Sequence, residues 1–318
     1  MPRRLKTTVD IVLPLYNEVE TFEQTYRELR AVVDSLPYRF TFYCVDDGST
    51  DGTSDLLRRL ARRSKDIRVI ALSRNFGHQA ALTAGLDASQ GEIVITMDGD
   101  GQHPAEMIGQ MLELVEHGYD IVQGQRVASA ETGVFKRWTS GGFYQMLNLI
   151  SGTHVLPGAA DFRALSREAV DALKAMPEYH RFLRGMISWI GYRSIILPYH
   201  EGRRVSGTSK YSAGKMLRLA MDAIFSFSLA PLYVGLSLGA LLLCLALAEM
   251  AYVLSFWLTG RTSGLAPGWS SLMFVILIVG AMLMLLLGFV GVYVGYIFQE
   301  VKRRPVFLVK KPRDDAAS

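Results

Sequence analysis

The stretch that decides the fold is EIVITMDGDGQHP, residues 92–104. It opens on six mostly apolar, β-rich residues, which are typical of a strand buried in a parallel sheet. The strand runs directly into Asp98-Gly99-Asp100, a tight turn that carries two carboxylates two residues apart. Pro104 then suits the first turn of a helix. The stretch therefore predicts a strand, an acidic turn and a helix in succession.

The same succession fills the N-terminal half of the chain. Short apolar runs that end at polar residues predict strands, and helical spacing of apolar side chains predicts helices. The predicted strands are residues 9–13, 40–45, 67–72 and 92–97, with a fifth beginning at 120–122, and the predicted helices are 18–36, 53–64 and 79–88. Strands that alternate with helices favour an α/β fold around a mostly parallel, Rossmann-like sheet.

Polar clusters follow three of these strands, at the sheet edge where α/β proteins bind ligands. Asp98 and Asp100 can reach a cation and a diphosphate together, since Mg²⁺ or Mn²⁺ is often held by one or two carboxylates plus substrate phosphates. The other clusters are Pro14-Leu15-Tyr16-Asn17-Glu18 and Asp46-Asp47-Gly48-Ser49. These groups suit a base edge or a ribose hydroxyl. Acidic residues are also favoured at helix N-termini for purely structural reasons.

Several functional classes are disfavoured. No glycine-rich turn follows the first strand, which counts against a dinucleotide-binding oxidoreductase, and there is no Walker A sequence. The net charge of +4 does not point to nucleic acid. Cys44 and Cys244 lie in a predicted strand and a predicted membrane span, so no disulfide is implied.

The C-terminal third has a different composition. Residues 229–258 and 271–298 are each apolar and long enough to cross a bilayer, which takes roughly 20 residues. The loop between them holds only Arg261, whereas basic residues flank both outer ends: Arg203, Arg204, Lys210, Lys215 and Arg218 before, and Lys302, Arg303, Arg304, Lys310 and Lys311 after. The positive-inside rule then predicts two transmembrane helices in the plasma (inner) membrane, with both termini cytoplasmic.

The predicted domain organisation follows from this split. Residues 1–228 form the catalytic domain, 229–298 the two spans and 299–318 a basic cytoplasmic tail. The apolar run after the basic start is too short for a signal peptide, so we expect the catalytic domain to stay on the side where it is made. Segments 134–151 and 213–227 are amphipathic, and suit either the membrane interface or an ordinary core helix.

The motifs together closely resemble family 2 glycosyltransferases, and more narrowly the polyisoprenyl-phosphate glycosyltransferases, which include dolichol-phosphate mannose synthases and bactoprenol glucosyltransferases. The resemblance is carried by residues 14–18, 46–49, Ser73-Arg74-Asn75-Phe76-Gly77, 98–104 and Ser209-Lys210-Tyr211. Three further segments resemble the bactoprenol branch: Asp161-Phe162-Arg163, Phe182-Leu183-Arg184-Gly185 and Ser226-Phe227-Ser228. The similarity covers nearly the whole chain.

The resemblance implies a GT-A fold and a role for each matching residue. The nucleotide and substrate pocket would be lined by Pro14, Tyr16, Glu18, Asp46, Asp47, Asp98 and Ser209. The metal and diphosphate would be held by Asp98, Asp100 and Gln102. The donor and acceptor phosphates would be neutralised by Arg126, Arg204 and Lys210. Asp161 matches the family's catalytic aspartate, so the expected catalytic set is Asp161, Asp100, Arg204 and Lys210.

One departure from the family pattern concerns the acidic turn. Members usually carry Asp-Ala-Asp-Leu-Gln, whereas this chain has glycine at 99 and 101. The additional backbone freedom is expected to loosen the turn and bears on donor preference.

The resemblance implies an inverting transferase that uses Mg²⁺ or Mn²⁺. We expect it to move a sugar, first of all glucose from UDP-glucose, onto undecaprenyl phosphate at the cytoplasmic membrane face. Mannose, N-acetylhexosamine or amino-arabinose donors stay open. A homo-oligomer and a separate flippase are expected partners, and nucleic acid is not. The acceptor phosphate is already mostly dianionic at pH 7, so Asp161 is expected to orient groups rather than abstract a proton.

Two rival functions have distinguishing features. A processive polysaccharide synthase usually carries Gln-x-x-Arg-Trp and more spans, whereas Val134-Phe135-Lys136-Arg137-Trp138 lacks the glutamine. A nucleotide-binding membrane scaffold without activity would not need an intact acidic turn.

Overall fold

The computed structural model describes residues 7–127, 159–200, 230–259 and 268–310 of the chain. These residues form two compact units. The α/β unit contains residues 7–127, 159–200 and 304–310, and the helical unit contains the remainder. The amphipathic segments predicted at 134–151 and 213–227 lie outside the described residues.

Seven strands and six helices build the described part of the α/β unit. The strands are β1 (Thr8–Leu15), β2 (Arg39–Asp46), β3 (Ile67–Ala71), β4 (Ile93–Thr96), β5 (Ile121–Arg126), β6 (Ala159–Ser166) and β7 (Ser194–Tyr199). The helices are α1 (Phe22–Val33), α2 (Thr53–Arg63), α3 (His78–Ala88), α4 (Met107–Glu116), α5 (Arg167–Ala175) and α6 (Leu183–Trp189). The five predicted strands and three predicted helices are confirmed. Pro104, predicted in the first turn of α4, lies just before that helix.

The strands form one sheet in the order β3-β2-β1-β4-β6-β5-β7. Every neighbouring pair is parallel except the two pairs that β6 makes with β4 and β5. The sheet is therefore mostly parallel, as predicted, with one antiparallel strand that the sequence patterns did not predict. Because β5 lies antiparallel to β6, it runs in the same direction as β4, so both strands end at the same edge of the sheet.

The central strand β1 explains why the sheet is stable in this order. It is buried from Val9 to Leu15, as expected for a strand covered on both faces. Its one charged residue, Asp10, accepts hydrogen bonds from the backbone amides of Gln90 and Gly91, each at 2.7 Å. These bonds tie the chain segment before β4 to β1, and they compensate for burying a carboxylate.

Helix α3 packs unusually closely on β1. A Cβ atom at Gly85 would lie 2.2 Å from Val12 Cγ1, so glycine allows the close approach. The first residues of the helix, His78 and Gln79, are thereby held beside the carboxyl ends of β1 and β4.

The helical unit contains α7 (Ala230–Leu258) and α8 (Trp269–Val301). Both predicted spans are thus helical. By length and composition, Ile278–Val301 is the one segment of the described chain long and apolar enough to cross a bilayer. Helix α7 contains the shorter apolar segment Gly235–Leu245. The two helices approach closely where a Cβ at Gly235 would meet Leu286.

Candidate active site

The acidic turn lies at the carboxyl end of β4. Its two glycines are used in different ways. Gly101 has φ +77°, a left-handed conformation that side-chain-bearing residues rarely adopt. Gly99 has ordinary φ, but a Cβ there would lie 2.2 Å from Leu15 Cδ2. One glycine thus meets a backbone requirement, and the other lets Leu15 pack against the turn. The expected loosening of the turn stays a prediction.

The oxygen atoms of this turn fit a hard divalent cation. Asp98 Oδ1 is buried and accepts no hydrogen bond from the described residues. Asp100 Oδ1 accepts from the Gln102 amide at 3.1 Å, which folds the turn on itself. Within the described residues, no three His, Cys, Asp or Glu side chains form a complete metal cage. A Mg²⁺ or Mn²⁺ ion bound by one or two carboxylates and substrate phosphates does not need one.

His103 holds the turn from behind. Its Nδ1 accepts the backbone N–H of Asp98 at 2.9 Å, so the ring proton lies on Nε2, 3.7 Å from Asp98 Oδ2. The buried ring stacks on Phe162 at 4.9 Å and meets the edge of Tyr199. The backbone amide of Asp98 is thus bound by an imidazole that is itself buried against Phe162 and Tyr199.

Asp161 lies on β6, directly beside β4. Thr96 Oγ1 donates to its backbone carbonyl at 2.8 Å. Its buried carboxylate is contacted by two guanidinium groups: Arg163 Nη2 lies 2.6 Å from Oδ1, and Arg184 Nη2 lies 3.0 Å from Oδ2. Burial alone would raise the pKa of Asp161, but the charges of Arg184 and Arg163 and the hydrogen bond from His78 hold it well below its usual range.

The two arginines differ in exposure. The Arg163 side chain is 2% exposed, and burial lowers its pKa although the Asp161 charge opposes that effect. Arg163 also donates to the Ala160 carbonyl at 3.0 Å. Arg184, in the first turn of α6, is 26% exposed. Arg163 therefore balances the charge of Asp161 inside the protein, whereas Arg184 is open enough to meet a ligand.

His78 bridges the two acidic groups of the site. Its Nε2 lies 3.2 Å from Asp161 Oδ2 and 3.5 Å from Asp98 Oδ1. Burial opposes the charged form of the ring, but the hydrogen bond to Asp161 and the charges of Asp98 and Asp161 raise the pKa of His78. Gln79, the next residue, accepts the Leu183 amide at 3.1 Å through Oε1. The start of α3 thus links the acidic turn, Asp161 and the start of α6.

The loops after β1 and β2 meet, as their positions after neighbouring strands predict. Asn17 Oδ1 accepts the Thr50 amide at 2.9 Å, and Ser49 Oγ accepts the Asn17 amide at 3.0 Å. Asn17 itself has φ +55°. Asp46 Oδ1 accepts the Ser49 amide at 2.9 Å. Tyr16, which is 41% exposed, lies on the open side of these joined loops.

Both carboxylate oxygens of Asp47 accept hydrogen bonds from the backbone of a neighbouring loop. Its two carboxylate oxygens accept the amides of Phe76 at 2.7 Å and Gly77 at 2.9 Å. Burial raises the pKa of Asp47, with these two hydrogen bonds acting in the opposite direction. Next to it, a Cβ at Gly48 would lie only 2.4 Å from the Arg74 carbonyl carbon. Asp47 thus shapes the site through residues 74–77.

The remaining predicted site residues divide into two groups. Arg126 is the last residue of β5, so it lies at the same sheet edge as the acidic turn. Pro14 is buried in β1, one residue before that strand ends, so the strand extends further than predicted. Glu18 lies in the loop after β1, where its Oε2 accepts a hydrogen bond from Thr21 Oγ1 at 2.6 Å. Arg204, Ser209 and Lys210 lie outside the described residues.

Sequence reasoning gave no individual role to five residues that the structure brings into the site: His78, Gln79, His103, Arg163 and Arg184. Four of them lay within or beside the quoted motifs. The signal that could have identified His78 is its position, since a helix that starts after β3 must begin at the same edge as the acidic turn.

Comparisons with known proteins agree with this geometry. Residues 10–174 match the model of glycosyl transferase family 2. An uncharacterized glycosyltransferase of Synechocystis sp. is 37% identical over 302 residues, covering 95% of this chain and 94% of its own length. The prophage-derived bactoprenol glucosyl transferase of Shigella flexneri is 34% identical, covering 95% and 97% respectively.

A solved structure, glucosyl-3-phosphoglycerate synthase of Mycobacterium tuberculosis with Mn²⁺ and UDP, is 21% identical over 70% of this chain and 80% of its own. Its TM-score of 0.47 is too low to transfer its ligands to this site. The two sequence relatives, in contrast, each cover 95% of this chain. The resemblance expected from the motifs is confirmed: this protein is a family 2 glycosyltransferase, of the group that includes the bactoprenol glucosyl transferases.

Proposed function

We propose that the protein transfers a hexose from a nucleoside-diphosphate sugar to the phosphate of a polyprenyl phosphate at a membrane surface. The observation that carries the proposal is the meeting of Asp98 and Asp161 at one sheet edge, bridged by His78. The full-length similarity to a bactoprenol glucosyl transferase supports the lipid acceptor. Glucose from UDP-glucose is the first donor to test, with mannose, N-acetylhexosamine and amino-arabinose donors as alternatives.

The donor would bind across the loops after β1, β2 and β4. Pro14, Tyr16, Glu18 and Asp46 would line the pocket for the base and ribose. Asp98 and Asp100, with Gln102 beside them, would hold the divalent cation. A bound Mg²⁺ or Mn²⁺ neutralises charge on the departing nucleoside diphosphate. His103 keeps Asp98 in place for this task through the 2.9 Å hydrogen bond to its amide.

The acceptor needs little deprotonation, because a phosphate monoester is mostly dianionic at pH 7. An acceptor oxygen would attack the anomeric carbon as the bond to the nucleoside diphosphate breaks, inverting the configuration. Asp161, with a pKa held well below its usual range, is a weak base. Its role here is to hold Arg184 and His78 in position. Arg184, Arg126 and the predicted Arg204, Ser209 and Lys210 would bind the phosphates.

The helical unit supports a membrane location. Ile278–Val301 exposes its apolar side chains along its whole length, which is unfavourable in water. We propose that α8 spans the bilayer and that α7 forms the second span, with both chain ends cytoplasmic. Assembly into a homo-oligomer and coupling to a flippase stay predictions.

The decisive experiment measures sugar transfer to undecaprenyl phosphate by the detergent-solubilised protein, with a panel of radiolabelled nucleotide-sugars and with Mg²⁺, Mn²⁺ or EDTA. We expect chloroform-extractable label from one donor, lost with EDTA and in Asp98→Asn. An Asp55→Asn variant, altered at an exposed carboxylate of α2, serves as the control. Binding of nucleotide without transfer from any donor would favour the scaffold, and a long water-soluble polymer would favour a polysaccharide synthase.

A further inference from the structure

The chain leaves helix α8 at a defined point. The Lys302 amide still donates to the Phe298 carbonyl at 3.2 Å, but Arg303 has φ +47°, a left-handed conformation that ends many helices. Pro305 follows, and its ring is unfavourable inside a helix. Residues 305–310, here called the strap, belong to the α/β unit rather than to the helical one.

The strap pairs with the outermost strand of the sheet. The Lys310 amide donates to the Ala71 carbonyl at 2.7 Å, and the Ser73 amide donates to the Leu308 carbonyl at 2.8 Å. Leu72 and Val309 face each other between these bonds in an antiparallel bridge. Since β3 is the first strand in the sheet order, the strap satisfies edge groups that are otherwise open to solvent.

Ser73 is also the first residue of the 73–77 loop, which is fixed at its other end by Asp47. The amides of Phe76 and Gly77 donate to the Asp47 carboxylate. Gly48 contacts the loop backbone so closely that a Cβ there would overlap it. The loop is therefore held between the strap on one side and Asp47-Gly48 on the other.

The loop leads directly into the acidic groups of the site. His78 follows Gly77, and its ring lies between Asp98 and Asp161. Ser73, which the strap holds, is thus five residues before the histidine whose Nε2 atom contacts both carboxylates. No side chain of the strap needs to touch a substrate for this to matter.

We propose that the strap is a positioning element of the active site: by pairing with β3 it holds the 73–77 loop, and with it Asp47 and His78, in the geometry that receives the donor. The consequence for the reaction rests on the proposed transfer function. The strap closely follows the segment of α8 that we propose to span the bilayer. The same short stretch of chain therefore connects that helix to the donor side of the site.

The test removes one backbone hydrogen bond without removing a side chain from the site. Lys310→Pro lacks the amide that donates to Ala71. Two controls match it: Val309→Pro places proline where the amide points away from β3, and Lys310→Ala removes the same side chain but keeps the amide. Hydrogen–deuterium exchange of residues 71–77 and steady-state kinetics are measured on the full chain in detergent.

In Lys310→Pro we expect exchange of the Ser73, Phe76 and Gly77 amides to rise roughly two- to tenfold, and the KM for the nucleotide-sugar to rise by a similar factor, as for one lost hydrogen bond. The KM for the lipid acceptor should change less than twofold, whereas kcat should fall by up to roughly tenfold, because the loop also positions His78 between the two carboxylates. Both controls should match wild type. Equal exchange in Lys310→Pro and wild type, or equal losses in both proline variants, overturns the proposal.

A second variant separates the proposal from a loss of stability and from failure of the proposed function. Leu72 and Val309 form a non-hydrogen-bonded antiparallel pair, the kind in which facing side chains lie closest. A disulfide between Leu72→Cys and Val309→Cys can therefore replace the lost hydrogen bond, and the oxidised and reduced forms of the same protein can be compared. In the Lys310→Pro background, oxidation should restore slow exchange, whereas unchanged exchange contradicts the proposal. This readout needs no turnover, so it decides even if wild type transfers no sugar.

Discussion

Arg163 donates from Nη2 to Asp161 Oδ1 over 2.6 Å, and neither side chain is more than 5% exposed. The two residues are two apart on β6, so their side chains leave the same face of the strand. Phe162, between them, leaves the other face and stacks on His103. One strand thus fixes a buried ion pair on one side and the support of the acidic turn on the other.

The state of Asp161 predicts how activity depends on pH. Since its pKa is held well below the usual range, the carboxylate stays ionised throughout the neutral range and has no proton to gain or lose there. Asp161→Asn should lower kcat by about 100-fold through misplacement of Arg184 and His78. Between about pH 5.5 and 8.5, a limb of the kcat profile that follows His78 should move to lower pH rather than disappear, because His78 loses a partner that raises its pKa. Steady-state rates across that range check this. Loss in Asp161→Asn of a limb that wild type shows would identify Asp161 as a true base.

The same ion pair predicts the acid stability of the protein. Because the pKa of Asp161 is lower in the folded protein than in the unfolded chain, the ionised carboxylate stabilises the folded state. This stabilisation is fully present above the unfolded-state pKa of about 3.9, and it is lost as the pH falls through the folded-state pKa. Arg163→Met leaves Asp161 with fewer cationic partners and should cost about 3 kcal/mol at pH 7. It should also make unfolding less sensitive to pH below about 4 than in wild type.

Chemical unfolding of the full chain at several pH values measures both effects. The control is Arg27→Met, which removes an arginine of α1 whose side chain is 74% exposed. In a double-mutant cycle, Arg163→Met combined with Asp161→Asn should be less destabilising than the sum of the two single changes, because the double variant removes both charges of the buried pair together. Strict additivity would contradict a coupled pair.

The strands β1, β4 and β6 show which parts of the fold can be predicted from the sequence alone. Periodicity predicted β1 and β4, and parallel strands end at a common edge, so the meeting of residues 14–18 with the acidic turn was predictable. β6 was not, because Arg163 and Asp161 interrupt its apolar pattern. Nor does any local pattern show that Asp161 contacts His78, 83 residues away, or Arg184 on a different helix.

The glycines of the acidic turn show a second limit of prediction from sequence. Gly99 and Gly101 look equivalent in the sequence, and both suggested added freedom. The structure separates them through φ at Gly101 and the Leu15 side chain beside Gly99. Such contacts depend on which strand packs against the turn, and composition does not encode that directly.

His103 offers a test of how the acidic turn is held. Asparagine can place an acceptor where Nδ1 lies, whereas glutamine extends to the position of Nε2 and leaves the Asp98 amide unpaired. Both variants lose the stacking on Phe162, so their difference isolates the hydrogen bond. His103→Gln should bind the activating cation roughly 5- to 50-fold more weakly than His103→Asn, as for one buried N–H left without a partner. Titration of Mn²⁺ followed by calorimetry or spin resonance measures this, and equal affinities would show that packing alone positions the turn.

The membrane location predicts different effects for one substitution at two depths of α8. Leu287 lies near the middle of the apolar segment and Val301 at its end, and both side chains are exposed. An arginine near the middle of a spanning helix opposes insertion by about 2.5–3.5 kcal/mol, whereas one near the end reaches the interface. Leu287→Arg should therefore reduce the carbonate-resistant membrane fraction strongly, and Val301→Arg should not. If both variants stay in the membrane, α7 or another segment anchors the chain. If both are lost equally, depth does not matter, and α8 is not the spanning helix proposed here.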